Sequence, residues 1–338
     1  MAVDSPDYTA RLASTLEAFA VGDAMGMPTE FMTRGEILER IPVIEGLVDP
    51  RLSRNHSDLP AGSITDDTEQ NLWLIRAYVS AGKIDEQTTT QALLSWIRES
   101  DAVSKRYIGP SSLKALNAIA AGVDPAEAGK GGTTCGGLMR TPSAVVCTPW
   151  DVSESGLTAN ILACLRPTHN TSQAFEAACS YGFALRSALA ASPFKAVIEA
   201  ARLGGSMGLD GSVYKACAAS SVSRLNYILD NRDLWRSEGE FLDFLYGVLG
   251  TGLESADVFA ATLGLFIFSR GNAWTSIRMA TSLGGDTDTV AALAGALCAA
   301  FSGGHSIPDG VTAPVNKVNS LDFGVLADRI VQAFGCPA

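Results

Sequence analysis

The chain has 338 residues, 47% of them apolar, and its 25 basic against 36 acidic side chains leave a net charge of −11. That length and apolar fraction suffice for one large domain with a substantial core. The acidic balance offers no basic face for nucleic-acid phosphates or an anionic membrane surface.

The N-terminus, Met1 to Asp7, has neither a basic segment nor an apolar one, so no secretory signal is expected and the chain reads as cytoplasmic. Leu12, Leu16, Phe19 and Ala20 then recur at helical spacing. An irregular stretch from about Val43 to Ser63 follows, with Pro50, His56, Pro60 and Gly62. Leu72 and Ile75, then Leu93, Leu94 and Ile97, mark further helices. A second irregular stretch, Gly129 to Pro142, holds Gly129, Gly131, Gly132, Gly136 and Gly137, and Ser143 to Thr148 is the one plausible extended segment. Ala-rich amphipathic runs come next, at about 171–190, 195–203, 212–229, 254–269, 272–283 and 289–302. Ser302 to Pro314 forms a third irregular stretch. The longest apolar run, Val258 to Phe268, is well short of the roughly 20 residues that span a bilayer. The pattern predicts an all-α chain, and with no linker or repeat it predicts a single domain over 1–338. Long loops in such a domain are more often functional than accidental.

Two oxygen-rich clusters carry the chemistry. Gly62-Ser63-Ile64-Thr65-Asp66-Asp67-Thr68-Glu69 precedes one helical run, and Gly284-Gly285-Asp286-Thr287-Asp288-Thr289 precedes another. Either alone reads as an ordinary N-cap, because Thr and Asp satisfy free amides and carboxylates complement the helix dipole. A cap needs only one oxygen, however, and each cluster carries a second carboxylate. Four carboxylates brought together would repel unless a cation neutralised them. Seven cysteines without CxxC spacing read as reduced core or loop residues, and only His56, His169 and His305 offer imidazole. A usual zinc site is therefore not expected. Hard oxygen donors select Mg²⁺, Mn²⁺ or Ca²⁺, and carboxylates from two sides suit a two-metal site.

In these motifs the chain resembles the ADP-ribosylglycohydrolases. Gly22-Asp23-Ala24-Met25-Gly26-Met27-Pro28-Thr29-Glu30 is similar to that family's G-D-x-x-G-x-P-x-E. Thr65 to Thr68 is similar to its T-D-D-T, and Gly284 to Thr289 to its G-G-D-T-D-T. Gly109-Pro110-Ser111-Ser112, Leu138-Met139-Arg140-Thr141-Pro142 and Thr168-His169-Asn170 resemble its middle motifs. The resemblance implies an orthogonal multi-helix bundle with a binuclear Mg²⁺ or Mn²⁺ site. Its ligands would be Thr65, Asp66 and Asp67 on one side and Asp286, Asp288 and Thr289 on the other. It also implies hydrolysis of the glycosidic bond at ribose C1 of an ADP-ribosylated protein or small molecule, by an enzyme expected to act as a monomer. Cleaving such a bond passes through an oxocarbenium-like state that needs nearby negative charge and a positioned water. Glu30 and Asp67 are both candidates for the acid/base role. Asp23, a carboxylate at the unfavourable end of its helix, is expected to orient a ligand or a metal-bound water.

The segment Gly132-Thr133-Thr134-Cys135-Gly136, with Met139 beyond it, is a candidate substrate-binding loop whose backbone amides cradle a diphosphate. It is not a P-loop, because Gly131 follows Lys130 where Ser or Thr would stand. His169 is expected to face the nucleotide, or else to be a core or capping residue. Cys135 stands where the family has an amide side chain, which weakens the implied phosphate or ribose contact. The same chemistry on a smaller N-riboside or nucleoside therefore remains an alternative. A lens crystallin in the same family leaves room for a non-catalytic binder or structural relative.

Overall fold

A computed structural model describes residues 5–337, so Met1 to Asp4, part of the segment read for a secretory signal, lie outside the described residues. Among the described residues there are seventeen α-helices and no sheet, as the periodicity predicts. The first half comprises α1 (Ser5–Gly26), α2 (Arg34–Arg40), α3 (Asp66–Ala81), α4 (Glu86–Glu99), α5 (Pro110–Ala120), α6 (Pro125–Ala128), α7 (Thr141–Val146) and α8 (Glu154–Leu165). Then come α9 (Ser172–Leu189), α10 (Phe194–Asp210), α11 (Ser221–Asp230), α12 (Glu238–Phe244) and α13 (Ser255–Phe268). The chain finishes with α14 (Ala273–Thr281), α15 (Thr287–Ser302), α16 (Asp309–Asn319) and α17 (Phe323–Phe334).

The main hydrophobic core runs from Tyr8 to Phe334, and Trp96, Ala102 and Tyr107 form a small second cluster. At the centre of the main core lies α15, in which every residue from Thr287 to Ala300 is buried. A helix apolar on all sides must be enclosed by others, and α1, α9, α13 and α14 enclose this one. The 11-residue apolar run lies in α13 and is a core helix. No helix among the described residues is long and apolar enough to cross a membrane.

The packing of α1 on α15 is unusually close. A β-carbon on Gly22 would lie 2.3 Å from the carbonyl oxygen of Ala291, and one on Gly26 would lie 2.4 Å from that of Thr287. The two backbones touch there, and any larger residue would force them apart.

Several boundaries differ from the sequence-based expectation. Ser143 to Thr148 is not extended: α7 covers most of it, with Pro142 in the first turn. All six residues of α7 are buried, and a short apolar run buried on every side has no periodicity to separate helix from strand. The third irregular stretch is short, because α16 starts at Asp309 and contains Pro314. Run 195–203 continues as α10 to Asp210, with Gly204 and Gly208 packed directly on the α9 backbone. Residues 212–220 lie outside any helix, and α11 begins at Ser221.

Gly22→Ala is expected to destabilise the protein by about 3 kcal/mol, the upper end of ordinary overpacking costs. Urea unfolding checks this; an unchanged midpoint would show that the close approach is not needed.

Candidate active site

The two acidic clusters meet because α1 holds α15 and α3 together. Asp23, in the last turn of α1, accepts hydrogen bonds from the backbone N–H groups of Thr65 and Thr68 at 3.0 and 3.1 Å. It also accepts from their hydroxyls at 2.7 and 2.6 Å. A carboxylate that looks misplaced on its own helix thus caps the N-terminus of α3. Burial raises its carboxyl to about 6, against the lowering effect of these four bonds.

Capping by the motif itself does not explain either cluster. Neither Thr65, at the start of α3, nor Asp286, at the start of α15, makes a side-chain cap bond. Other helices here are capped in the ordinary way, by Asp85, Ser153, Thr171 and Asn272 among others. The Asp carboxylates of the two clusters and Thr289 instead line a cleft of about 170 Å³, whereas Thr65 is not among its lining residues and spends its hydroxyl proton on Asp23.

Glu30, Asp66, Asp67, Asp286, Asp288 and Thr289 all line that cleft. Glu30, Asp286 and Asp288 can each offer a ligand oxygen within 4.8 Å of the others. Thr289 donates from its hydroxyl to Asp67 at 3.3 Å, joining α15 to α3. Two left-handed glycines make the α15 side possible, since Gly284 and Gly285 both have φ of +87°. A β-carbon on Gly285 would lie 1.9 Å from the Thr251 carbonyl oxygen, which accepts the Asp286 N–H. The Gly285 backbone also exchanges hydrogen bonds with Phe31 and Met32, which fixes Glu30 against the cluster.

The electrostatics of this floor are severe. Burial raises the carboxyls of Asp66, Asp67 and Asp288 well above the usual range, and their neighbours' charges raise them further. Burial raises Asp286 as well. Glu30 is pushed up to about 8, by burial first and the Asp286 charge second. Oxygens of Glu30, Asp67 and Asp288 are buried without a hydrogen-bond partner, which is costly for any polar atom and more so for an ionised one. Hard, mutually repelling, unpartnered oxygens from two helix ends fit a divalent cation.

The segment expected from sequence to bind substrate is divided. Thr134, Cys135, Gly136 and Met139 line the cleft. Gly132 and Thr133 do not: Gly132 packs on the Thr168 backbone, and Thr133 borders a neighbouring cleft with Lys130 and Lys215. Cys135 donates its thiol to Asp286 at 2.9 Å, and burial raises that thiol well above its ordinary range. His169 does not face the cleft. It is fully buried, with its ring nitrogens hydrogen-bonded to the hydroxyls of Thr168 and Thr134. Arg140, also fully buried, donates to Thr168 and to Gln70, and Gln70 donates to Asp66. Arg140, Thr168 and His169 thus form a polar frame behind the cleft, while Gly109, Pro110, Ser112 and Met139 of the same middle motifs line it.

The sequence reading singled out neither Arg106 nor Tyr107, which stand just before the Gly109-Pro110-Ser111-Ser112 motif and line the cleft. Phe31, next to Glu30, lines it too, as does His56, whose Nε2 lies 3.7 Å from Glu30 Oε2. Proximity in sequence to a motif was the available signal. A larger cleft of about 730 Å³, walled by Phe194, Trp235 and Phe268, shares no lining residue with this one and has no acidic cluster.

These shifts predict a pH effect. Glu30 rises from 4.5 to about 8 and Asp23 from 3.8 to about 6, so the folded state binds these protons more tightly than the unfolded chain. Their contribution to stability is complete below the unfolded values and is lost as pH rises through about 6 and then about 8. Without divalent ions, the Tm should fall between about pH 5 and pH 8, and Mg²⁺ or Mn²⁺ should raise it most at the higher pH. Asp288→Asn should largely abolish that metal-dependent rise; a Tm indifferent to divalent ions would refute the cation site.

Known proteins resemble this chain along most of its length. The ADP-ribosylglycohydrolase family model matches residues 4–337. The chain is 29% identical to the protein YegU of Escherichia coli, covering 96% of this chain and 97% of that one. It is 27% identical to the ADP-ribosylarginine hydrolase Tri1 of Pseudomonas putida, over 88% of this chain and 72% of that one. Identity to the ADP-ribosyl-[dinitrogen reductase] glycohydrolase of Rhodospirillum rubrum is 25%, over 90% of each. A solved structure titled ADP-ribosylglycohydrolase-related protein complex shares the fold, with a TM-score of 0.72 and 24% identity over 97% of this chain and 99% of that one. With the family model matched along nearly its whole length, the chain belongs to the ADP-ribosylglycohydrolases and is a glycosidase-type hydrolase.

Proposed function

We propose that this hydrolase cleaves the glycosidic bond between ribose C1 of an ADP-ribosyl group and its acceptor, using two divalent cations, Mg²⁺ or Mn²⁺. The observation that carries the reading is the floor of the cleft, where carboxylates from α3, α15 and the Glu30 segment converge with buried oxygens left unpartnered. Thr65, Asp66 and Asp67 would hold the cations from one side, and Asp286, Asp288 and Thr289 from the other. Asp23 fixes Thr65 in place by accepting from both its amide and its hydroxyl. When bound, the cations supply charge neutralisation of the carboxylates, anchorage for ribose hydroxyls and polarisation of water.

The side chains supply the rest. As the bond to the acceptor breaks, positive charge develops at C1 and the ring oxygen, and the carboxylates around the cleft floor stabilise it. Glu30, with an oxygen within 4.8 Å of Asp286 and Asp288, would take the proton from the attacking water. Asp67 is held by Thr289 and lies deeper in the carboxylate cluster, which favours a ligand role for it. Support for an ADP-ribosyl substrate comes from the relatives named for ADP-ribosylarginine and for ADP-ribosylated dinitrogen reductase.

Chelation should abolish hydrolysis, and Mg²⁺ or Mn²⁺ should restore it. Glu30→Gln should lower kcat by about 10²- to 10⁴-fold, the usual worth of a general base, and the Asp66→Asn/Asp288→Asn pair should be inactive. Product analysis on ADP-ribosyl-arginine, ADP-ribosyl-serine, O-acetyl-ADP-ribose and plain nucleosides checks the substrate class. Full activity in the double variant, or cleavage of nucleosides alone, would overturn the proposal.

A further inference from the structure

The larger cleft of about 730 Å³, which stands apart from the acidic one, falls in the range of about 300–1,000 Å³ typical of small-molecule sites. Five of its twelve lining residues are aromatic, in a chain that is 7% aromatic, so its wall is not an average sample of this surface. The rings form two groups. Phe241 stacks on Phe268 at 4.7 Å and meets Trp235 at 5.1 Å, while Phe194 meets Phe301 edge-on at 6.2 Å. Trp235, Phe268, Phe194 and Phe301 are all left half-buried. Water against four aromatic side chains is costly, and a flat apolar body would displace it.

The other lining residues are aliphatic or charged. Arg232, Arg236 and Arg270 stand against the single carboxylate of Asp233, an excess of positive charge in a chain of net charge −11. Two of these arginines are placed by the fold. An Nη of Arg232 donates to the Leu229 carbonyl at 3.2 Å, which keeps it at the end of α11. Arg270 has φ of +54° and Gly271 of +77°, so α13 ends in a left-handed turn, closed by hydrogen bonds to Ile267 and Phe266. Non-glycine residues avoid that region, so holding Arg270 there has a cost. A β-carbon on Gly271 would lie 2.5 Å from the Phe301 ring, which sets Arg270 beside the aromatic wall.

The neutral polar side chains are missing. Among the described residues, no Ser, Thr, Asn, Gln or His lines this cleft. Sugar hydroxyls and the edges of a nucleobase would find no neutral side-chain partner there, and burying them unpaired is costly. We infer that the cleft is a second ligand site, separate from the hydrolytic one, and that its ligand is a small aromatic carboxylate. The rings take the flat apolar body, and the guanidinium groups take the carboxylate with paired donors. A nucleotide, which carries its anion on a polar body, is the wrong class for this wall.

Calorimetry on the full chain tests this with 2-naphthoate, the neutral 2-naphthylmethanol, nonanoate and AMP. The naphthoate should bind at a single site and about 10-fold tighter than the alcohol, the usual worth of a charged hydrogen-bonded contact. It should also bind tighter than nonanoate, which has the charge without the rings, and ADP-ribose should not displace it. The variant Arg232→Gln/Arg236→Gln/Arg270→Gln should bind naphthoate about 10-fold more weakly and the alcohol unchanged. All three side chains are exposed, so its Tm and its hydrolytic activity should match wild type. Absence of saturable binding, an alcohol or nonanoate bound as tightly as naphthoate, or AMP bound in its place would overturn the inference. So would displacement by ADP-ribose or a triple variant that binds naphthoate like wild type. The proposed hydrolase activity stands or falls separately, on the metal and substrate tests above.

Discussion

The structure depends on the contact between α1 and α15. Two glycines on α1 let its backbone touch that of α15 at Ala291 and Thr287, a distance no larger residue permits. Because α15 is buried from Thr287 to Ala300, it can be located only by what packs on it. The same contact sets the N-terminus of α15, with Asp286 and Asp288, beside the last turn of α1, where Asp23 reaches across to cap α3. Core packing and the convergence of the acidic motifs are thus consequences of one close helix crossing.

That arrangement stores electrostatic strain. Two helix N-termini point at the cleft, and their dipoles favour negative charge there. They do not offset the mutual repulsion and desolvation of five carboxylates, which is why burial and neighbouring charge raise most of these groups. Asp23 is treated differently. Its four hydrogen bonds oppose the effect of burial, and its oxygens are spent on positioning α3. The fold therefore separates a carboxylate that serves the backbone from carboxylates left unpartnered, a pattern expected where stability is given up for a functional site.

The middle of the chain has a supporting part that its motifs do not announce. Arg140 stands in a middle motif and His169 is expected from sequence to face the nucleotide or else to be a core or capping residue, yet both are fully buried and linked through Thr168. Their chain of hydrogen bonds runs from Asp66 through Gln70 to Thr134, so it braces the cleft from behind. A motif records that a residue matters to the site, not which way its side chain points. The same limit explains Gly132 and Thr133, which share the glycine-rich segment with Cys135 and Gly136 but lie outside the cleft.

By itself the sequence determined the helical class, because apolar residues recur at helical spacing through most of the chain and strand alternation is nearly absent. It also determined the oxygen donors, because two Asp/Thr clusters at helix starts, with few histidines, leave hard ligands as the available chemistry. Local pattern failed where local pattern carries no information. The enclosed apolar helix α7 has no polar face, α16 continues through Pro314, and glycines in α10 look like a helix end until α9 is packed against them. Only the tertiary structure decided that the two clusters share a cleft and that Asp23 caps another helix. Each of these is a distance between segments far apart in the chain. Such distances are set by helix packing, which periodicity and composition do not encode.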